Sequence, residues 1–413
     1  MQDALTSNVQ SSIRPGSDCD TFYYGDTNSE KQIFNCIVNT KFVQNFTNLS
    51  AGTSQFTISP YQGISDIVVS LQYGTGSPTA NLPQGWGYAL INQVSVRYGS
   101  SAQYFFTGQQ IYLQNMHEAE NGTKRDALST LGGNALAASA ASGASCSLYL
   151  NLPHNSPRVE GKPLPFPSDL LTQPIIITIQ MNDPGALSPA GPWVPGASGS
   201  ATIAAPLAFA QLQVRQEMMA DSADLLARRV DMNTHAYTYP LKYFPQQQVS
   251  INLASTSAVQ TVNLTGFRAG EVQKILMFLT KTTSVTQNGL LYWEPISNIT
   301  LTYNGEIFYR ADGYSNQLWN LVNDTKTGAV SGALVNTSGT WGAGLSYWVE
   351  MPFSQASVPY DKEVKLIGGK PILNAVVNLS LSTPTASADY TLNVVYLYNC
   401  SLLCSRGGSE YIF

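Results

Sequence analysis

The sequence predicts an all-β protein of two tandem eight-stranded jelly-roll β-sandwiches joined by a short helical linker. Short β-branched or aromatic runs, broken by Gly, Pro and Asn, fill most of the 413-residue chain, and such runs are typical of strands. Many short strands with few helical stretches indicate sandwiches or barrels. The second half of the chain repeats the pattern of the first, which indicates two sandwiches instead of one large one.

The strand pattern is clearest in the first half. Six segments either alternate apolar and polar residues or form a short apolar run bounded by turn residues. Each half is expected to close with a further strand, at Leu207–Val214 and at Tyr390–Tyr398. The six segments, between residues 55 and 181, are QFTISPY, SDIVVSLQY, NQVSVRYG, AQYFFTG, SLYLNLP and PIIITIQM.

The two halves align in the same order at a separation that drifts from 208 to 197 residues. Small loop insertions and deletions produce such a slow drift, whereas unrelated strands would give scattered separations. Val94 and Ile299, matched at 205, are both predicted to point into a sandwich core. Other matched pairs are Phe56 with Val262 at 206, Val69 with Met277 at 208, Tyr149 with Trp348 at 199 and Ile175 with Ile372 at 197.

A short helix is predicted near the middle of the chain, at Asp221–Val230. It opens with capping and acidic residues and closes with two arginines, as the helix dipole favours. The predicted organisation therefore has four parts. They are an extended N-terminal arm (1–30), a first jelly roll (31–220), a linker helix and connection (221–239) and a second jelly roll (240–413).

Charge is scarce in this chain. Charged residues make up 11% of it, and the formal net charge is −5, whereas ordinary soluble domains contain about 25% charged residues. Because interface cores are depleted in charge, the surface is either polar but uncharged or covered by neighbours. The longest basic clusters are pairs such as Lys124-Arg125, so direct nucleic-acid binding, which needs clustered Lys and Arg, is not expected.

The cysteines and the N-terminus suggest a reducing compartment and no membrane span. The spacing of Cys400 and Cys404 resembles half of a zinc site, but no second pair or His cluster accompanies it. Buried or idle free thiols are the simpler interpretation. The first 20 residues lack the apolar core of a signal peptide, and no run of about 18 apolar residues occurs. The remaining cysteines are Cys19, Cys36 and Cys146.

No catalytic, cofactor-binding or metal site is predicted, and the chain is expected not to be an enzyme. Its three histidines, His117, His154 and His235, lie far apart and form no metal-binding spacing. Glu294 and Glu306 are the candidate pair for glycoside hydrolysis, which requires two carboxylates flanking a cleft. A solvated strand end is the simpler interpretation of Glu294, since it directly precedes Pro295 at the start of a predicted strand.

Two long connections have the composition of loops, Gly132–Ser145 and Asp183–Ala205. They carry no charge beyond Asp183. Connections of more than about 12 to 15 residues are uncommon unless they have a function. Covering a neighbouring subunit and forming a plain surface loop both remain open for them.

Two stretches carry a likeness to a known family. Leu90–His117 has a strand pair followed by a short helix, and Leu148–Met181 has a strand ending in Leu-Pro before an apolar strand. With the tandem rolls, they resemble the double jelly-roll major capsid proteins of tailless icosahedral double-stranded DNA viruses. That lineage includes the nucleocytoplasmic large DNA viruses, virophages, polinton-like viruses and adenovirus-type capsids.

The resemblance implies a structural protein of the virion capsid, assembled in the host cytoplasm or nucleus. It implies a homotrimer whose six jelly rolls form a pseudo-hexameric capsomer, with no cofactor. Its implied partners are further copies of itself, neighbouring capsomers, minor capsid and penton proteins, and an inner membrane reached through the N-terminal arm. The alternatives are a carbohydrate-binding or adhesive β-sandwich, such as a viral spike or lectin, and a metal-independent glycosidase on a sandwich fold.

Overall fold

The structure is a computed structural model of the chain. The predicted arm, the linker helix Asp221–Val230 and the connection Asp183–Ala205 lie outside the residues that it describes. The described residues are 37–49, 52–59, 63–74, 86–118, 127–128, 130–133, 142–155, 158–159, 162–163, 166, 168, 171–182, 207–218, 236–243, 246–252, 259–264, 272–281, 293–294, 296–303, 305–312, 348–352, 375–381 and 389–412.

Strands dominate the described part of the chain. The first half contains β1 (Ile37–Asn45), β2 (Gly52–Ile58), β3 (Gly63–Tyr73), α1 (Trp86–Ala89), β4 (Ile91–Tyr98), β5 (Tyr104–Phe106), α2 (Gly108–Glu118), β6 (Ser145–Tyr149), a 3-10 turn (Pro153–Asn155), β7 (Arg158–Val159), β8 (Lys162–Pro163), β9 (Ile175–Met181) and β10 (Leu207–Met218). The second half contains β11 (Tyr237–Tyr243), β12 (Gln246–Asn252), β13 (Val259–Leu264), β14 (Val272–Lys281), β15 (Trp293–Glu294), β16 (Ile296–Tyr303), β17 (Glu306–Asp312), β18 (Trp348–Pro352), β19 (Ala375–Leu381), β20 (Asp389–Ser405) and β21 (Gly408–Ile412).

Each half forms two facing antiparallel sheets with the same strand order. Sheet 1A has the order β1-β10-β3-β6, and sheet 1B has the order β2-β9-β4-β5. Sheet 2A contains β12-β20-β14-β18, extended by β11, β15 and β21, and sheet 2B has the order β13-β19-β16-β17. Leaving out the short extra strands, both halves read 1-8-3-6 and 2-7-4-5, which is the jelly-roll arrangement. The predicted fold class is therefore confirmed, with the predicted second-roll boundary at residue 240 falling inside β11.

Period-two alternation places the core of each roll. In β3, Ile67, Val69 and Leu71 are buried, while the residues between them are only half-buried. Val94 and Ile299 are 0% and 1% exposed and lie in the cores of the first and second rolls. The prediction that both point into a core is confirmed.

Two of the predicted repeat pairings were wrong in register. Ile58 pairs with Ile175 in the first roll, and its counterpart Leu264 pairs with Ala375. Ile175 therefore corresponds to Ala375 at a separation of 200, and not to Ile372. The sequence alignment followed the proline before each strand, but proline cannot donate to a sheet ladder, and its distance from the strand differs between the rolls.

The aromatic strand is displaced in the same way. Ser70 lies opposite Ser147, and its counterpart Phe278 lies opposite Trp348. Ser147 therefore corresponds to Trp348 at a separation of 201, so the predicted pairing of Tyr149 with Trp348 was wrong by two residues. A two-residue shift preserves which face a side chain occupies, which is why the alternation gave no warning of it.

Sheet 2A is buried on both faces. Its inner residues Ile275 and Met277 belong to the second-roll core. Its outer residues Leu276, Phe278 and Val395 belong to the same hydrophobic cluster as the core of the first roll. The first roll thus packs against the outer face of sheet 2A, and this packing creates the contact at which the two rolls meet.

The short helices α1 and α2 both contact β4 of sheet 1B, and α1 also contacts β6 of sheet 1A. Asn115 of α2 donates from Nδ2 to the Tyr88 hydroxyl of α1 and to the Tyr149 carbonyl of β6, at 2.8 Å in each case. Within the ranges given above, no helix combines the length and apolarity required to cross a membrane.

Candidate functional site

The contact between the rolls brings together buried polar and aromatic side chains from both halves of the chain. We call it the inter-roll junction and define it by Tyr98, His154, Phe166, Tyr239 and Ser409. The first three belong to the first roll, whereas Tyr239 lies on β11 and Ser409 on β21, both strands of sheet 2A. All five side chains are buried.

His154 holds the first-roll side of the junction. Its ring Nε2 donates to the Ser65 carbonyl at 3.1 Å, and because a carbonyl can only accept, the proton of the neutral ring resides on Nε2. Nδ1 then accepts from the Tyr98 hydroxyl at 2.7 Å. Burial lowers the pKa of His154 to about 4, against the opposing effect of the bond to Ser65. The imidazole is therefore neutral at pH 7, with both nitrogens occupied by protein groups.

Tyr239, on β11 of the second half, contacts His154 and its neighbours. Its hydroxyl donates to the His154 carbonyl at 3.2 Å. Its ring meets Phe166 edge-on, with centroids 4.8 Å apart and an interplanar angle of 90°. Phe166 also packs on Tyr98, at 5.4 Å between centroids. Edge-to-face pairs stabilise by about 0.5–1.5 kcal/mol beyond area burial, so the junction is directional as well as apolar.

A serine clasp fastens the β20–β21 hairpin to the turn after β4. Ser409 Oγ donates to the Tyr98 carbonyl at 2.5 Å and accepts from the Ser100 backbone N–H at 3.1 Å. In return, Ser100 Oγ accepts from the Ser409 N–H at 2.7 Å. Gly408 has a φ of 135°, and a Cβ on it would lie 2.2 Å from Ser100 Oγ. Glycine is therefore required there for the hairpin to approach so closely.

Replacing Ser409 by Ala should weaken the attachment of the hairpin. The change removes the Ser409 hydroxyl from the Tyr98 carbonyl, which keeps its bond from the Ser101 N–H at 3.0 Å, and it removes the side-chain acceptor of the Ser100 N–H. Each lost hydrogen bond contributes about 0.5–1.5 kcal/mol. Urea unfolding should show a lower free energy of unfolding for Ser409→Ala. Ser145→Ala, at an exposed position on β6, is the matched control and should leave that free energy unchanged. Equal stability of the two variants would contradict the role of the clasp.

A further polar contact between the rolls is an amide ladder on sheet 2A. Asn393 is fully buried, and its Oδ1 accepts from Nε2 of Gln246 at 2.9 Å and from Nε2 of Gln248 at 3.0 Å. Gln246 Oε1 accepts in turn from the Thr107 hydroxyl of the first roll at 3.3 Å. Thr107 also caps α2 by accepting from the Gln110 N–H. Helix α2 of the first roll is thus tied to sheet 2A of the second roll.

The carboxylates and histidines considered from sequence are not brought together. Glu294 lies on β15 of sheet 2A, whereas Glu306 begins β17 of sheet 2B and is exposed. His117 lies in α2, and His235 lies outside the described residues. Within the described ranges, no three His, Cys, Asp or Glu residues are close enough to hold a metal ion.

The expectation of buried free thiols is confirmed for two cysteines. Cys146 and Cys404 are both buried and unbridged, and burial raises the pKa of the Cys146 thiol. A thiol with a raised pKa is a poor nucleophile, because the thiolate is the reactive form. Cys400 lies on β20, while Cys19 and Cys36 lie outside the described residues.

The sequence interpretation missed the inter-roll junction, although one signal was present. Ile275–Leu279 is a continuous apolar run, and continuous runs are typical of strands buried on both faces. The equivalent strand β3 alternates instead. That contrast identifies the sheet that is covered by the other roll.

In sequence, the chain matches no protein-family model and no curated protein. In structure, it is similar to Vp54 of PBCV-1, fitted into a cryo-EM reconstruction of the virophage Sputnik. The TM-score is 0.67 at 12% identity, and the match covers 94% of this chain and 99% of that one. The Faustovirus major capsid protein gives a TM-score of 0.55 at 10% identity, with 98% of each chain covered. The mavirus major capsid protein gives 0.52 at 12% identity, with 93% and 92% covered.

These matches span both rolls and extend over nearly the full length of each compared chain. The likeness therefore includes the pairing of the rolls, and not only a jelly roll in isolation. The strand orders and the shared hydrophobic cluster described above give the same architecture independently. This chain has the double jelly-roll fold of viral major capsid proteins.

Proposed function

We propose that the chain is the major capsid protein of an icosahedral double-stranded DNA virus, with a structural and not an enzymatic role. The observation that carries the proposal is the match of both rolls together to viral capsid proteins, at 94% of this chain and 99% of Vp54. The low charge fraction of 11% supports it, because the surface of a shell protein is largely covered by neighbours. The carbohydrate-binding or adhesive alternative is not favoured, since the structures compared above are capsid proteins.

The assembly unit in this proposal is a homotrimer. Three chains with two similar rolls each form a capsomer with six similar sides. Such capsomers can pack side by side in a hexagonal lattice although they contain only one kind of polypeptide. Cyclic symmetry requires a head-to-tail contact that closes into a ring. Such a capsomer belongs to the virion capsid and is assembled in the host cytoplasm or nucleus. It needs no cofactor and no direct contact with nucleic acid.

The further partners in this proposal are neighbouring capsomers, minor capsid proteins and penton proteins. The N-terminal arm, residues 1–30, is the proposed link to these proteins or to an inner membrane. Its polar and uneven sequence, with Asp18, Asp20 and Asp26, suits an extended segment better than a packed one.

Deleting residues 2–25 tests whether the rolls alone form the trimer while the arm links capsomers to their partners. Trimers should remain intact, because neither roll includes the deleted residues, while assembly into closed shells should weaken. Native mass measurement reports on the trimer, and electron microscopy of assembled particles reports on the shell. Loss of the trimer on deletion would contradict the proposed role of the arm.

A further inference from the structure

We propose that the outer face of sheet 1A is the surface on which the second roll of another copy of this chain docks. The outer face is the side of sheet 1A turned away from the first-roll core, and Val43, Val68 and Gln213 lie side by side at its centre. The inference rests on the proposed capsid function and adds the surface and the partner.

Strand register makes this face the counterpart of one that is already covered. Val68 lies opposite Gln213 in sheet 1A, as Leu276 lies opposite Val395 in sheet 2A. Leu276 and Val395 are buried beneath the first roll of the same chain. Val68 and Gln213 are only half-buried in the single chain. The equivalent surface of the two rolls is therefore covered by a neighbouring roll in sheet 2A and uncovered in sheet 1A of the single chain.

A shared hydrogen bond strengthens the correspondence. Gln211 of β10 donates to Asn45 of β1 at 3.1 Å on the outer face of sheet 1A. By register, these residues occupy the positions of Asn393 and Gln248, which are joined by the equivalent amide bond at 3.0 Å. In the second roll that bond lies next to a hydrogen bond between the rolls, because Gln246, which also bonds to Asn393, accepts from Thr107 of the first roll. The first roll repeats the ladder, which Gln213 extends by donating to Gln211 at 2.9 Å.

The chemistry of the exposed face fits a contact made after folding. Val43 is 49% exposed there, and Ser70 and Ser147 line its other side. The ion pair of Arg215 and Asp66, at 3.1 Å, neutralises itself. Because these two charges are paired, the face suits an interface core, which is depleted in unpaired charge. Its amides and hydroxyls keep the separate subunit soluble, whereas the covered face of sheet 2A adds the apolar side chains of Leu276, Phe278 and Val395 to its amides.

The internal repeat also indicates which partner covers the outer face of sheet 1A. Within one chain, the outer face of sheet 2A is covered by the first roll of that chain. The outer face of sheet 1A needs the same kind of cover, and the second roll is the structural counterpart of the first. Because the second roll of the same chain already presents sheet 2A to its own first roll, the cover comes from another copy. Repeating one roll-to-roll contact in this way gives a head-to-tail ring.

The test places a charge at the centre of the face. Gln213→Lys should weaken trimer association at least tenfold in a dilution series followed by light scattering, because it buries an unpaired ammonium in the contact. Thr178→Lys is the matched control, since Thr178 is a half-buried residue at the centre of β9 on the outer face of sheet 1B. It should associate like the unaltered protein. Ser147→Arg, at an exposed position, repeats the test where folding is at least risk, and circular dichroism verifies folding of all three.

Each outcome separates the inference from the function on which it rests. Trimers that tolerate both Gln213→Lys and Ser147→Arg would overturn the docking surface while leaving the capsid role intact. Intact trimers that no longer assemble into shells would assign the face to a neighbouring capsomer or minor protein, and would also overturn it. An unaltered protein that is monomeric at every concentration would contradict the proposed function, and the inference with it.

Discussion

Val94→Asp and Ile299→Asp should each prevent soluble folding of the roll that contains the substitution. Both side chains are essentially inaccessible to solvent. Val94 lies opposite Ile179 on the neighbouring strand, and Ile299 lies opposite Leu379 in the equivalent position. A carboxylate there has no partner, and an unpaired buried charge costs several kcal/mol, comparable with much of the stability of a domain. Soluble yield and resistance to limited proteolysis measure the effect.

Exposed asparagines provide matched controls for these two substitutions. Asn92→Asp on β4 and Asn263→Asp on β13 add the same charge at nearly the same volume, but at exposed positions of sheets 1B and 2B. Both should yield soluble protein with normal protease resistance. Normal folding of either core variant would show that the assigned strand facing is wrong.

The second large effect expected is a loss of stability in acid that depends on His154. Burial lowers the pKa of this imidazole from 6.5 to about 4 in the folded state. The unfolded chain therefore binds more protons between these two values, and the stabilisation present above pH 6.5 is lost as the pH falls towards 4. A shift of this size corresponds to about 3 kcal/mol, at 1.36 kcal/mol per pKa unit.

Urea unfolding between pH 7 and pH 4 measures this contribution. Since aspartates and glutamates also titrate in this range, the readout is the difference between the unaltered protein and His154→Gln. The variant should be less stable at pH 7, because it loses bonds to Tyr98 and Ser65, but it should lose less stability on acidification. Identical pH dependence in the two proteins would contradict a neutral buried imidazole at the inter-roll junction.

Most of the fold could be predicted from the local pattern of apolar and polar residues. The alternation in β3 and β4 identified the strands and the inward-facing residues, because period-two burial is set by neighbours within a few residues. The duplication also followed from sequence, since Val94 and Ile299 occupy equivalent positions of the two rolls. The register of β9 against β19 did not follow, because the connections before them differ in length and the matched prolines lie outside both strands.

The inter-roll junction depends on tertiary contacts that no local pattern encodes. His154 is a lone histidine in sequence, and its role arises from Ser65, Tyr98 and Tyr239, which lie 89, 56 and 85 residues away. Sequence analysis considered it only as a metal ligand and had no means of bringing these groups together. The contrast between the apolar run Ile275–Leu279 and the alternating burial in β3 was a local sign of the packing between the rolls.

The native mass of the purified full-length protein tests the central proposal most directly. A capsid subunit whose paired rolls close into a ring of six should give, by light scattering, three times the 44.6 kDa mass of one chain. The trimer should persist on dilution, as large obligate contacts require. A single species with the mass of one chain at all concentrations would contradict the proposal.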